Sequence, residues 1–275
     1  MPARPFRQVD VFPGSALGGN PLAVVLEADG LDEATMHAFA RWTNLSETAF
    51  LLRPTDPRAD YRVRIFTPAE ELPFAGHPTL GSAHAFMEHT GSAADRLVQE
   101  CGIGLVELRR SAKGFAFAAP PLLRSGQASD EERVAAATAL RLGPDDLIEA
   151  EWTDNGPGWL TVGLSDAAAV LGLEPDFDAM PFPIGVVGRH DEGGPADFEV
   201  RAFVPGLGVP EDPVTGSLNA GIATWFFGSG IVSGPYTVRQ GTVMNRNGLI
   251  RIQRDDEGIW IEGACTTYVS GTVTL

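Results

Sequence analysis

The chain is poor in cysteine, in basic residues and in long apolar runs. Its two cysteines, Cys101 and Cys265, stand far apart with no histidine or cysteine at ligand spacing. A disulfide framework and a zinc site therefore both lack their ligands. Five histidines occur without an H-E-x-x-H arrangement, so no metal site is expected. Twenty Lys and Arg against 36 Asp and Glu leave a formal charge of −16. Such a field repels phosphate backbones and anionic membrane surfaces, so neither nucleic acid nor a membrane is expected as a partner. No run of about 18 apolar residues exists, and the N-terminus has neither a basic nor an apolar leader region; a soluble, cytoplasmic protein is expected.

What the chain does have is punctuation and repetition. With 32 glycines, 21 prolines and 44% hydrophobic residues in 275, it reads as many short strands between turns, with apolar residues enough for two cores. Strand patterns run over Phe6–Phe12, Ala23–Leu26, Thr48–Leu52, Tyr61–Phe66, Leu97–Gln99, Leu105–Arg109 and Gly114–Ala118. The rhythm returns at Trp159–Gly163, Ile184–Gly188, Phe198–Phe203, Tyr236–Gln240, Leu249–Gln253, Ile259–Glu262 and Tyr268–Leu275. Two amphipathic helices, Asp32–Thr43 and Asp130–Leu142 with Ser129 as cap, read as outer covers.

One phrase occurs twice, half the chain apart: Arg64-Ile-Phe-Thr-Pro68 and Arg201-Ala-Phe-Val-Pro205. Each leads through acidic residues and a glycine into a helix, Pro78–Phe86 or Leu218–Phe227, that is small or apolar nearly all round and so suits burial within a sheet. The expected fold is α+β: two pseudo-symmetric halves, each a curved, mostly antiparallel sheet around one central helix. The halves are placed at 1–120 and 128–263, with a linker-like stretch from Pro120 to Ser129; the last strand, about 264–275, can return to the first half.

Two helix heads suggest one anion-binding site between the halves, because the first N–H groups of a helix are unpaired and carry partial positive charge. Gly216-Ser217 and Gly76-His77-Pro78 suit it, glycine by admitting a ligand to the backbone, Ser217 and His77 as donors. Each also reads as an ordinary cap. Glu47 opens an apolar strand, and a carboxylate against apolar walls titrates nearer neutrality, as a general base at pH 7 requires. A lone glutamate there reads equally as a solvated edge, and Asp212 as a turn residue. Spacing alone does not bring Glu47, His77 and Asp212 together.

Six separated motifs do: Gly19-Asn20-Pro21, Ser46-Glu47-Thr48, Arg64–Pro68, Gly76-His77, Glu211–Ser217 and Arg239-Gln-Gly241. In order and over almost the whole chain they resemble the PhzF-like phenazine-biosynthesis family, of diaminopimelate epimerase-like fold. The resemblance implies a cofactor-independent isomerase acting on a small carboxylated substrate, and a homodimer. By motif it makes Glu47 the general acid/base, adds His77 and Asp212 as catalytic positions, and assigns Asn20, Ser46, Gly76, Gly216 and Ser217 to substrate binding. The sequence departs from the two-thiol epimerases and racemases of this fold, which carry cysteine at both helix heads where Ala75 and Thr215 stand here. An epimerase of the same fold and a non-catalytic binder of small anions remain the alternatives.

Overall fold

The computed structural model describes residues 2–111, 113–205 and 210–275. The chain divides into two compact units, Met1–Ala118 with Glu262–Leu275, and Ala119–Ile261. In chain order the elements are β1 (Ala3–Val11), β2 (Asn20–Val25), α1 (Glu33–Thr43), β3 (Thr48–Leu52), β4 (Tyr61–Phe66), β5 (Glu71–Leu72), α2 (Gly76–Thr90), β6 (Arg96–Cys101), β7 (Gly104–Ser111) and β8 (Gly114–Ala118). There follow β9 (Arg124–Gln127), α3 (Asp130–Leu140), β10 (Glu149–Asp154), β11 (Leu160–Gly163), α4 (Ala167–Leu171), β12 (Ile184–Arg189), β13 (Phe198–Phe203) and β14 (Glu211–Asp212). The chain ends with α5 (Gly216–Ser229), β15 (Tyr236–Gln240), β16 (Gly248–Asp255), β17 (Gly258–Gly263) and β18 (Cys265–Thr274).

Both units pair their strands in one pattern. In the first, β1–β2 is antiparallel, β2–β3 parallel, β3–β4 antiparallel, β4–β6 parallel and β6–β7 antiparallel. In the second, β10–β11, β11–β12, β12–β13, β13–β15 and β15–β16 repeat that succession. Each pattern has one more antiparallel strand on its first member: β18 on β1, and β9 on β10.

The stretch read as a linker, 120–129, therefore carries a strand of the second unit. Arg124-Ser-Gly-Gln127 is exposed at all four positions, so no apolar alternation betrays it. It is held by backbone pairing and by the Arg124 guanidinium, which lies 3.5 Å over the Trp152 ring and 2.7 Å from Glu132. The sequence reading also passes over β10, whose alternation rests on Ala150 and Trp152 among acidic residues, and the two-residue strands β5 and β14.

The helices differ in how they start. Asp32, Ser129 and Asp166 cap α1, α3 and α4 through their side chains, and Ser129 with Glu132 forms a full capping box. The heads of α2 and α5, at Ala75 and Thr215, have no side-chain cap. These two helices run two turns or less beyond the spans read from sequence, because glycine and polar residues at their ends hide helix signals. α2 touches β1, β2, β3, β6, β8 and β18, so the first unit's sheet curls around it. In the second unit α5 packs on β10 and sets Phe226 against Phe198 and Tyr236. Matched glycines allow the closest approach: a Cβ on Gly81 would lie 2.6 Å from the Leu22 side chain, and one on Gly221 would strike the Thr153 carbonyl. α1 covers the outer face of the first unit with Met36, Phe39 and Ala40 against Val25, Phe50 and Phe66. Among the described residues no helix is long and apolar enough to cross a membrane.

Candidate active site

The repeated phrase builds the frame of the site. Arg64 on β4 donates through Nε and Nη2 to both carboxylate oxygens of Glu71 on β5. Arg201 on β13 does the same to Glu211 on β14, at 2.9 Å on each branch. Each guanidinium also lies over the phenylalanine two residues on, 5.1 Å from the Phe66 ring and 4.8 Å from the Phe203 ring. The fork ties the short strand ahead of each central helix to the long strand before it, which fixes the approach to each helix head.

In the first unit, three residues of the expected site meet. α1 stops at Asn44 in the left-handed conformation, φ 53°, and Glu47 follows immediately before β3. The Glu47 side chain is 13% exposed, and its Oε2 lies 3.4 Å from His77 Nδ1 at the head of α2. Asn20, at the start of β2, sets its Nδ2 at 3.3 Å from the same Nδ1. His77 is 2% exposed. Burial pushes its pKa down to about 3, so at pH 7 the ring is neutral and its approach to Glu47 is not an ion pair. Nδ1 has one position to offer, a proton or a lone pair. The Asn20 amide N–H takes the lone pair, which leaves the ring proton on Nε2. His77 Nε2 is buried without a hydrogen-bond partner among the described residues. Gly76 is buried beside it, whereas Ser46 is half-buried and makes no polar contact with the other three among the described residues.

In the second unit Asp212 and Ser217 do not touch; they stand on either side of Thr215 and Gly216. Asp212 is 6% exposed, and its Oδ2 accepts the Thr215 hydroxyl at 2.6 Å. Gln240 at the end of β15 is fully buried and organises this turn. Its Oε1 accepts the Thr215 N–H at 3.0 Å, while its Nε2 donates to Thr215 Oγ1 at 2.8 Å and to the Asp212 carbonyl at 3.1 Å. Ser217 Oγ accepts from Trp159 Nε1 at 3.1 Å, and the Ser217 carbonyl accepts from Asn155 Nδ2 at 2.8 Å. Reading the sequence singled out none of Asn155, Trp159 or Thr215 as site residues. Gln240 was visible in the Arg239-Gln-Gly241 motif without a role, and the first unit supplies its counterpart: Gln99 on β6 donates to Thr79 Oγ1 at 3.0 Å.

Both cysteines are free, on β6 and β18, and burial raises both thiols. Neither stands at a helix head, where Ala75 and Thr215 lie. Among the described residues no three or more His, Cys, Asp or Glu are grouped to hold a metal ion.

Two units on one pseudo-symmetric frame, each with a sheet curled on a central helix, define the diaminopimelate epimerase-like fold. The relatives make the class specific. The chain is 36% identical to antisense-enhancing sequence 1 of Schizosaccharomyces pombe, over 98% of this chain and 99% of that protein. It is 33% identical to the trans-2,3-dihydro-3-hydroxyanthranilate isomerase of Pseudomonas fluorescens, over 97% and 98% of the two chains. A crystal structure of a PhzF-family phenazine biosynthesis protein from Enterococcus faecalis superimposes with a TM-score of 0.81 at 26% identity, covering both chains completely. The model of the phenazine biosynthesis-like family, PhzC-PhzF, matches residues 9–271; this chain belongs to that family.

Proposed function

We propose that this isomerase shifts a proton within a small carboxylated substrate, with Glu47 as its one general acid/base and no cofactor. The observation that carries the reading is the buried trio of the first unit: a carboxyl group of low exposure against a neutral imidazole, itself beside an asparagine amide. Glu47 as carboxylate takes a proton from a carbon made acidic by adjacent unsaturation. The electron pair delocalises into that system, and the protonated Glu47 returns the proton to another carbon, so atoms and charge balance without a co-reactant. A racemase working with two bases needs one at each helix head; Ala75 and Thr215 offer none, which favours one base acting on one face. His77 orients Glu47 and a polar substituent. In the second unit, the Gly216 and Ser217 N–H groups and the Ser217 hydroxyl hold a carboxylate, and Asp212 holds a donor group.

The test is turnover in D₂O over a panel of cyclic and amino carboxylic acids, beginning with trans-2,3-dihydro-3-hydroxyanthranilate, the substrate in the relative's name. Deuterium enters product with the wild type. Glu47→Gln lowers kcat by about 10²–10⁴-fold and removes incorporation. Unchanged incorporation in Glu47→Gln ends the role of Glu47 as base; binding without any exchange across the panel marks a non-catalytic binder.

A further inference from the structure

We infer that Trp159 is a positioning residue that makes the head of α5 favour an ionised carboxylate, by taking one lone pair of the Ser217 hydroxyl and so turning its proton away from the indole. The inference rests on the proposed reading of Ser217 as a holder of the substrate's carboxylate. An indole has one N–H and no acceptor. With Trp159 Nε1 at 3.1 Å, Ser217 Oγ is the acceptor of that bond, and the serine's own proton is turned elsewhere. Ser217 is 4% exposed, and its hydroxyl has no acceptor among the described residues. The donor is therefore aimed and unused.

The tryptophan is fixed from every side that matters. It is 2% exposed and ends the β10–β11 turn, which closes on Asp154: Oδ1 accepts the N–H of Gly156 and of Gly158, each at 2.7 Å. The Thr153 N–H donates to the Trp159 carbonyl at 3.0 Å. The same turn sends Asn155 to the Ser217 carbonyl, so one loop holds both the backbone and the side chain of residue 217. The residue before Gly216 shows the same polarity. Because Gln240 Oε1 takes the Thr215 N–H, its Nε2 must donate to Thr215 Oγ1, and the threonine's proton goes to Asp212. Both hydroxyls beside Gly216 thus have one lone pair taken by an N–H of the chain, which sets where their protons can turn. One gives its proton to a carboxylate of the chain, and the other has its proton ready for a carboxylate of the ligand. A hydroxyl whose proton is held ready in this way gains most from a charged acceptor and less from a neutral carbonyl.

The test uses 2-aminobenzoate and 2-aminobenzamide, unreactive rings that differ in an ionised carboxylate against a neutral amide. Calorimetric titration of the full chain gives both affinities for the wild type, Ser217→Ala, Trp159→Phe, and a chain with benzothienylalanine at 159, which keeps the indole's shape and replaces its N–H by sulfur. The wild type is expected to prefer the acid, and each variant to lose about tenfold of that preference, the acid weakening by that much more than the amide. Combining Trp159→Phe with Ser217→Ala is expected to add nothing further. If the benzothienyl chain keeps the full preference while Ser217→Ala loses it, or if acid and amide weaken together at position 159, the inference fails and the reading of Ser217 stands. If Ser217→Ala itself keeps the preference, the reading of Ser217 fails and the inference with it.

Discussion

Lowering the pH tests the neutral His77 directly. The ring is 2% exposed and burial holds its pKa at about 3, against about 6.5 in the unfolded chain. Above the unfolded value both states are neutral and the site adds no pH dependence. Below it the unfolded chain takes up a proton that the folded chain refuses, so stability falls as pH falls, by about 1.4 kcal/mol per unit, until the folded pKa is reached. Between pH 7 and pH 5 the loss is about 2 kcal/mol, since the linkage function is nearly zero at the first and about 2 at the second. Other groups, among them His84, whose pKa burial lowers, are common to the wild type and His77→Gln. Urea unfolding of both proteins at pH 7 and pH 5 isolates the term. The wild type is expected to lose about 2 kcal/mol more than His77→Gln over that interval, whatever the variant's stability at pH 7. Equal losses would refute the buried, neutral imidazole, and a larger loss in the variant would reverse its sign.

The duplicated arginine–glutamate forks separate buried from exposed pairing within one fold. Arg201 and Glu211 are 4% and 9% exposed in their side chains, Arg64 and Glu71 18% and 36%; Arg201→Met is expected to cost about 3–5 kcal/mol by stranding a buried carboxylate, and Arg64→Met about 1 or less, in denaturant unfolding. Adding Glu211→Leu to Arg201→Met is expected to restore most of the loss. Gly221→Ala drives a methyl into the Thr153 carbonyl, an overpacking worth about 1–3 kcal/mol, read as a lower Tm, whereas alanine at the exposed Gly228, which faces open space within the same helix, is expected to leave Tm unchanged or raise it.

How far the chain can be read without coordinates depends on which residues carry the signal. The doubled Arg-x-Phe-x-Pro phrase and the two uniformly apolar helices announce two halves with central helices, because packing on all sides demands small or apolar residues at every helical position. The strand β9 is invisible: an edge strand that is exposed at every residue leaves no pattern. β5 and β14 are two residues long, too short to show a pattern, and their glutamates are forked by arginines from the neighbouring strand. Within the site, Glu47, His77 and Asp212 are recognisable as residue types, but the contact of Glu47 with His77 crosses 30 positions and is made by α1 ending at Asn44 and α2 beginning at Gly76. Trp159 reads only as the head of a strand pattern and Asn155 gives no signal, since what matters in each is a single N–H directed at residue 217.

The two helix heads share a frame and differ in the side chains set on it. Each head has a glutamine on the strand that follows its helix and a polar side chain one turn into the helix: Gln99 with Thr79, and Gln240 with Asn219. Thr79 Oγ1 donates back to the Ala75 carbonyl at 2.9 Å, and Asn219 Nδ2 to the Thr215 carbonyl at 2.8 Å. The backbone at residues 75 and 215 is thus gripped alike, and divergence is confined to side chains the grip leaves free. At 75 alanine removes the side chain, and the neighbouring imidazole is kept neutral against Glu47. At 215 threonine adds a hydroxyl, but Gln240 turns its proton to Asp212, so that position can neither accept a proton from substrate nor serve as a second base. On the proposed reading, the first unit keeps the proton-transfer chemistry and the second keeps donors whose direction is set in advance. On that reading the chain has one base, Glu47, and donors whose direction is set beforehand, which suits moving a proton on one face rather than inverting a centre.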